Sequence, residues 1–113
     1  MRIKQVTEEK ILFDNGNEIF FNHRRDCCET NYADFYNLNE NNINYNYNFD
    51  ENLIFESVDR LGFKFGSNGR WIFIPCYSEQ NGYYTSEIDI YYKKEKVERV
   101  ERVLRFDAQE ILY

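Results

Sequence analysis

The chain has 113 residues, 42% hydrophobic and 19% aromatic, with one Pro and five Gly. That is one domain's length (residues 1–113), too aromatic for a disordered chain and too poor in Pro and Gly for a linker or collagen-like sequence. Twenty acidic against fourteen basic side chains leave a net charge of −6, which opposes direct nucleic-acid binding because that binding depends on neutralising phosphates with a basic surface.

Residues 2–6, with Ile3 and Val6, read as a short strand. Residues 10–14 and 18–22 are apolar runs flanking Asn15-Gly16. Asn-Gly in that setting predicts a β-hairpin closed by a type I′ turn. Residues 31–39 mix Tyr32, Phe35, Tyr36 and Leu38 in a pattern that suits a short helical turn or an irregular loop. Residues 37–52 hold eight Asn in sixteen positions. Within them Ile43, Tyr45, Tyr47 and Phe49 alternate with Asn44, Asn46, Asn48 and Asp50, the period-two pattern of a half-buried strand.

Residues 53–58 predict a further strand. Residues 61–65 and 70–74 flank Gly66-Ser-Asn-Gly69 and predict a second hairpin with a four-residue loop. Its second arm, Trp71 to Ile74, is apolar on both faces, so a central position in the sheet is expected, with Pro75 ending it or sitting at a bulge. Residues 83–92 form a long strand, with Tyr84, Ile88, Ile90 and Tyr92 on one face and Glu87 and Asp89 on the other. Short connections between successive strands imply an antiparallel meander.

From Lys93 the period changes. Val97, Val100, Val103, Leu104, Ala108, Ile111 and Leu112 follow helical spacing, and Glu95–Arg99, Glu98–Arg102 and Glu101–Arg105 are successive i,i+4 pairs in the favourable orientation. A rival signal runs through the same segment: residues 103–113 align without gaps to residues 11–21, which would make the chain end a strand pair. The helix is preferred, interrupted at Asp107, which can cap a last turn with Glu110. The expected fold is therefore α+β, a mainly antiparallel sheet of hairpins with a C-terminal helix packed on it.

The charge is unevenly placed. Residues 26–59 carry eight acids and no Lys or Arg, whereas residues 93–105 carry six basic residues and three Glu. An acidic surface favours a basic partner and speeds its encounter; acidity that only keeps the chain soluble is the plainer alternative. The three cysteines, Cys27, Cys28 and Cys76, are odd in number, and Met1 to Val6 has no secretory leader pattern, so free thiols in the cytoplasm are expected.

The segment His23-Arg-Arg-Asp-Cys-Cys-Glu29 holds the only His and two of the three Cys. A zinc site would draw on His23, Cys27 or Cys28, and Cys76, but the paired spacing of structural zinc sites is missing. A thiol enzyme would use His23, Cys27 and Cys28, yet no oxyanion-stabilising turn or orienting third group is evident. Buried structural thiols are the stronger expectation. Phosphate-loop, dinucleotide, zincin and EF-hand motifs are absent from the sequence. No cofactor is expected.

Two stretches carry a resemblance. Phe21 to Glu29 resembles the F-x-H-x-x-D-C-C-E stretch of a family of small uncharacterised phage and bacterial proteins, and Asn81-Gly-Tyr-Tyr-Thr85 resembles that family's later N-G-Y-Y-[ST] stretch. The resemblance covers roughly residues 3–92; the Asn-rich middle departs from the family, and the charged C-terminal segment is an extension. It implies a phage or mobile-element setting and transfers no catalytic residue. Together these features predict a non-enzymatic module that binds and inhibits a host protein with a basic surface, such as a nucleic-acid-binding CRISPR or defence nuclease. Glu40, Tyr45, Tyr47, Asp50, Glu51 and Glu56 are the expected contacts, the Tyr side chains as anchors and the carboxylates as steering charges.

Overall fold

A computed structural model describes residues 1–22, 30–40, 45–80 and 85–112. Among the described residues, ten strands are arranged in two five-stranded sheets. The first has the order β1 (Ile3–Val6), β2 (Lys10–Phe13), β3 (Glu18–Asn22), β8 (Glu87–Lys93), β9 (Val100–Asp107). The second runs β10 (Gln109–Leu112), β7 (Arg70–Gln80), β6 (Gly62–Ser67), β5 (Ile54–Val58), with β4 (Thr30–Ala33) also paired to β7. Among the described residues there is no α-helix, only a 3₁₀ turn at Phe35–Glu40 and its brief repeat at Tyr45 and Asn46.

The inner faces of the two sheets meet through rings. Phe13 of β2 packs edge-on to Phe65 of β6, Phe106 of β9 touches Phe63, and Tyr92 of β8 touches Phe55 of β5. Alternation supplies these rings, because every second residue of a strand points the same way. Ile11 and Phe13, Ile88 and Ile90, Phe63 and Phe65, and Ile72 and Ile74 all fall on buried positions. Phe49 seals one end, contacting Phe13, Phe65 and Tyr47.

The first hairpin forms between β2 and β3, but its turn is not type I′. The Gly16 amide donates to the Phe13 carbonyl at 3.0 Å and the Phe13 amide donates to Asn17 at 2.9 Å, so three residues close the loop. Gly16 alone has positive φ, at 90°, the pattern of a type I turn followed by a left-handed residue. The two-residue turn with both φ positive lies instead in the second hairpin: Ser67 pairs with Arg70, and Asn68 and Gly69 take φ of 54° and 76°. The loop there is thus shorter than the four residues expected.

Four further expectations are corrected. The C-terminal helix does not exist; its residues form two strands, β9 and β10, so the echo of residues 11–21 holds for strand character but not for a strand pair. The two strands do not pair with each other. The chain crosses from one sheet to the other at buried Ala108, whose amide donates to the Ser86 carbonyl at 2.9 Å. The i,i+4 Glu–Arg pairs are too weak to outweigh a full ladder on β8. Arg105 bridges Asp89 and Glu87 across that ladder at 2.7 and 3.3 Å instead of turning to Glu101. β-branched Val100 and Val103 also favour a strand.

The alternating segment is not a strand over residues 45–50; residues 43 and 44 of that expectation lie outside the described residues. Its alternation still sets burial. Tyr45, Tyr47 and Phe49 turn inward while Asn46, Asn48 and Asp50 face solvent. Strand-like bonding is confined to Met1 and Phe49, which exchange two backbone bonds at 2.7 Å each. A single meander is replaced by two, because β3 turns to β8 for its next neighbour and β10 adds to β7 in parallel. Finally, Pro75 does not end its strand. β7 continues to Gln80, and Pro75 marks the point where its neighbours change: β6 pairs with the residues up to Pro75, while β4 and β10 pair beyond it.

Candidate interaction surface

The register of β5, β6 and β7 decides which side chains remain outside. Phe55–Phe65–Ile72 and Ser57–Phe63–Ile74 form rows on the core face. Ile54–Gly66–Trp71 and Glu56–Lys64–Phe73 form rows on the outer face. Consequently Ile54 is 54% exposed, Trp71 41% and Phe73 40%. A run that is apolar on both sides therefore has only one side covered among the described residues. From sequence, residues 71–74 are indistinguishable from a strand buried on both faces, which is why Trp71 and Phe73 were not singled out.

The polar groups on this face are arranged around the apolar ones. The Lys64 ammonium lies 4.7 Å from the centre of the Trp71 ring and 3.2 Å from the Glu56 carboxylate. Asp50 and Glu51 are exposed just before β5, and Asp59 is exposed just after it. Asp50 is held beside β6 because its amide donates to the Ser67 hydroxyl at 2.8 Å. Four carboxylates thus follow the edge strand of the second sheet, and among the described residues Glu56 is the one of them with an ion pair. A five-residue strand extends about 17 Å, so these acids form a line rather than one compact cluster.

The expected site residues are distributed as follows. Asp50, Glu51 and Glu56 share the β5 edge. Tyr45 and Tyr47 are half-buried packing residues: the Tyr45 hydroxyl donates to Asn39 at 2.5 Å, and Tyr47 lies under the Arg70 guanidinium at 4.9 Å and edge-on to Phe49. The Glu40 backbone closes the 3₁₀ turn, and its side chain lies outside the described residues. His23, Cys27 and Cys28 also lie outside them.

Cys76, a ligand candidate of the zinc alternative, is fully buried in β7 with Sγ 3.7 Å from the Ile74 carbonyl. Burial, aided by the Asp34 charge, pushes its thiol well above the usual range, which opposes the thiolate that a zinc ligand needs. Among the described residues, no three His, Cys, Asp or Glu side chains come together as a metal site.

Comparison with protein-family models, with curated proteins and with solved structures finds no match.

Proposed function

We propose that this chain is a non-enzymatic protein-binding module that docks the outer face of its second sheet on a basic surface of another protein. One observation carries the reading: Ile54, Trp71 and Phe73 are exposed together on a sheet face bordered by a line of carboxylates. Large aromatic side chains supply most of the energy at protein interfaces, and surrounding charges select the partner and speed its arrival. The acids at Asp50, Glu51, Glu56 and Asp59 favour a cationic partner. In the mobile-element setting implied by the resemblance, a nucleic-acid-binding nuclease of the host meets that description, and occupation of its basic groove would inhibit it. Relative to the sequence expectation, the carboxylates keep their role and the anchors move from Tyr45 and Tyr47 to Trp71 and Phe73.

The test is capture of basic proteins from a bacterial lysate by the chain and by its Trp71→Ala/Phe73→Ala variant, at low and high salt. The reading expects partners that the variant loses and that salt weakens. Retention of the same partners by the variant would overturn it. So would a mass in solution showing that the face is covered by a second copy of the chain.

A further inference from the structure

A groove of about 910 Å³ opens where the two sheets approach each other away from β5. It is lined by β3 and β4, by the connection between β1 and β2, and by single residues of β2, β7, β8 and β9. Two features of the lining stand out. Aromatic surface comes from Phe20 and Tyr32, and Phe20 is stacked on Tyr91 at 5.4 Å with the planes 13° apart, which fixes its ring. The charged groups are Glu8, Glu9, Glu18 and Glu79 against Lys10 and Lys93. Lys10 and Glu18 neutralise one another at 2.9 Å. Among the described lining residues, three carboxylates then face one ammonium.

Tyr32 registers this negative field. Its hydroxyl donates to the Glu79 carboxylate at 3.3 Å. Burial first, then the charge of Glu79, raises its pKa from 10.0 to about 12. At neutral pH the hydroxyl therefore remains a donor, and Glu79 is held in place by it. An aromatic wall beside carboxylates that are uncompensated among the described residues attracts a cation twice, through the ring quadrupole and through direct charge.

We propose that this groove receives a lysine or arginine side chain from an extended basic segment of the partner protein. The carboxylates of Glu9 and Glu79 meet the charge, and Phe20 and Tyr32 take the alkyl stem and the flat face of the cationic group. The proposal rests on the reading of the chain as a partner for basic proteins, and it adds a second contact point distant from Trp71. Glu79 and Trp71 belong to the same strand but are eight positions apart, about 26 Å along an extended chain.

The experiment is a titration of nitrogen-labelled protein with an octaarginine peptide, with an octaglutamate peptide as control, read by amide shifts. Saturable shifts at residues 8–10, 18–20, 32 and 79 are expected with octaarginine and none with octaglutamate. Glu9→Gln/Glu79→Gln should weaken octaarginine binding about tenfold, since charge-assisted contacts are lost. The glutamine at position 79 still accepts the Tyr32 hydrogen bond, so the fold is retained. Glu101→Gln, an exposed acid of β9, should leave binding unchanged. Shifts spread evenly over the exposed carboxylates, or equal affinity of the double variant, would overturn the proposal. Trp71 and Phe73 play no part in this titration, so its failure leaves the outer-face reading standing. Conversely, a Trp71→Ala/Phe73→Ala protein that keeps its partners refutes that reading without touching the groove.

Discussion

Asn17 is the side chain whose loss should report most sharply on how distant segments are tied together. It is 3% exposed in the loop between β2 and β3. Its Nδ2 donates to the Tyr92 hydroxyl at 2.9 Å, and its Oδ1 accepts from the Glu95 amide at 3.0 Å. The Tyr92 hydroxyl in turn donates to the Glu51 carbonyl at 2.7 Å. One amide thus links the first hairpin, the end of β8 and the acidic segment that precedes β5. Removing it in Asn17→Ala deletes these two hydrogen bonds, each worth about 1 kcal/mol net, together with a weaker one from Nδ2 to the Met1 sulfur at 3.6 Å, and leaves a buried hydroxyl without its donor. A loss of about 2 kcal/mol is expected, which lowers the urea midpoint by about 1 M at an ordinary denaturant slope. Tyr92→Phe removes the same bond from the other side, so the double variant should fall short of additivity by about 1 kcal/mol. A cost below about 0.5 kcal/mol, or full additivity, would refute the linking role of Asn17.

Other outcomes follow from the same geometry. Phe65 is fully buried and touches the rings of Phe13, Phe49, Phe55 and Phe63, so Phe65→Ala should cost about 3–5 kcal/mol in equilibrium unfolding. Gly69 has φ of 76° with open space where a Cβ would stand. Gly69→Ala should therefore cost about 1 kcal/mol through backbone strain alone, and an unchanged midpoint would contradict the turn geometry. Tyr32 and Tyr92 both have pKa values raised to about 12, chiefly by burial. Below about pH 10 the folded and unfolded chains hold these protons equally. Above it the unfolded chain binds fewer, so stability should fall between about pH 10 and 12. Unfolding measured across that range should show the decline, and Tyr92→Phe should reduce its slope; ionisation of all tyrosines together near pH 10 would contradict the burial of these two.

Local signals were legible where chemistry and geometry coincide. The period-two pattern of residues 83–92 identifies β8 and its buried side, although the strand begins only at Glu87, and residues 53–58 identify β5 without telling which of its sides is buried. Asn15-Gly16 identifies the first hairpin and Gly66-Ser-Asn-Gly69 the second, although the length of each loop depends on strand register, which the flanking residues alone do not define. At the chain end two periodicities overlap, because Val97, Val100, Val103 and Leu104 satisfy a helix while residues 103–113 repeat the hairpin pattern. The decision lies in tertiary pairing: β8 needs a second neighbour, and β9 supplies it through seven paired positions. Partition into two sheets was equally hidden, since pairing of β3 with β8 joins residues that are more than sixty positions apart. For the candidate surface, charge alone pointed to Asp50, Glu51 and Glu56. Trp71 and Phe73 emerged only once β7 was seen to have one face uncovered.

The most direct test of the outer-face reading uses the single tryptophan of the chain. Protein grown with fluorotryptophan gives one fluorine resonance, that of Trp71, whose broadening by a soluble paramagnetic agent measures its contact with solvent. In the free chain Trp71 is 41% exposed, so strong broadening is expected. On addition of a captured basic partner, the resonance should shift and lose most of that broadening. A partner that binds while the Trp71 resonance keeps its position and its sensitivity to the agent would show that docking occurs elsewhere.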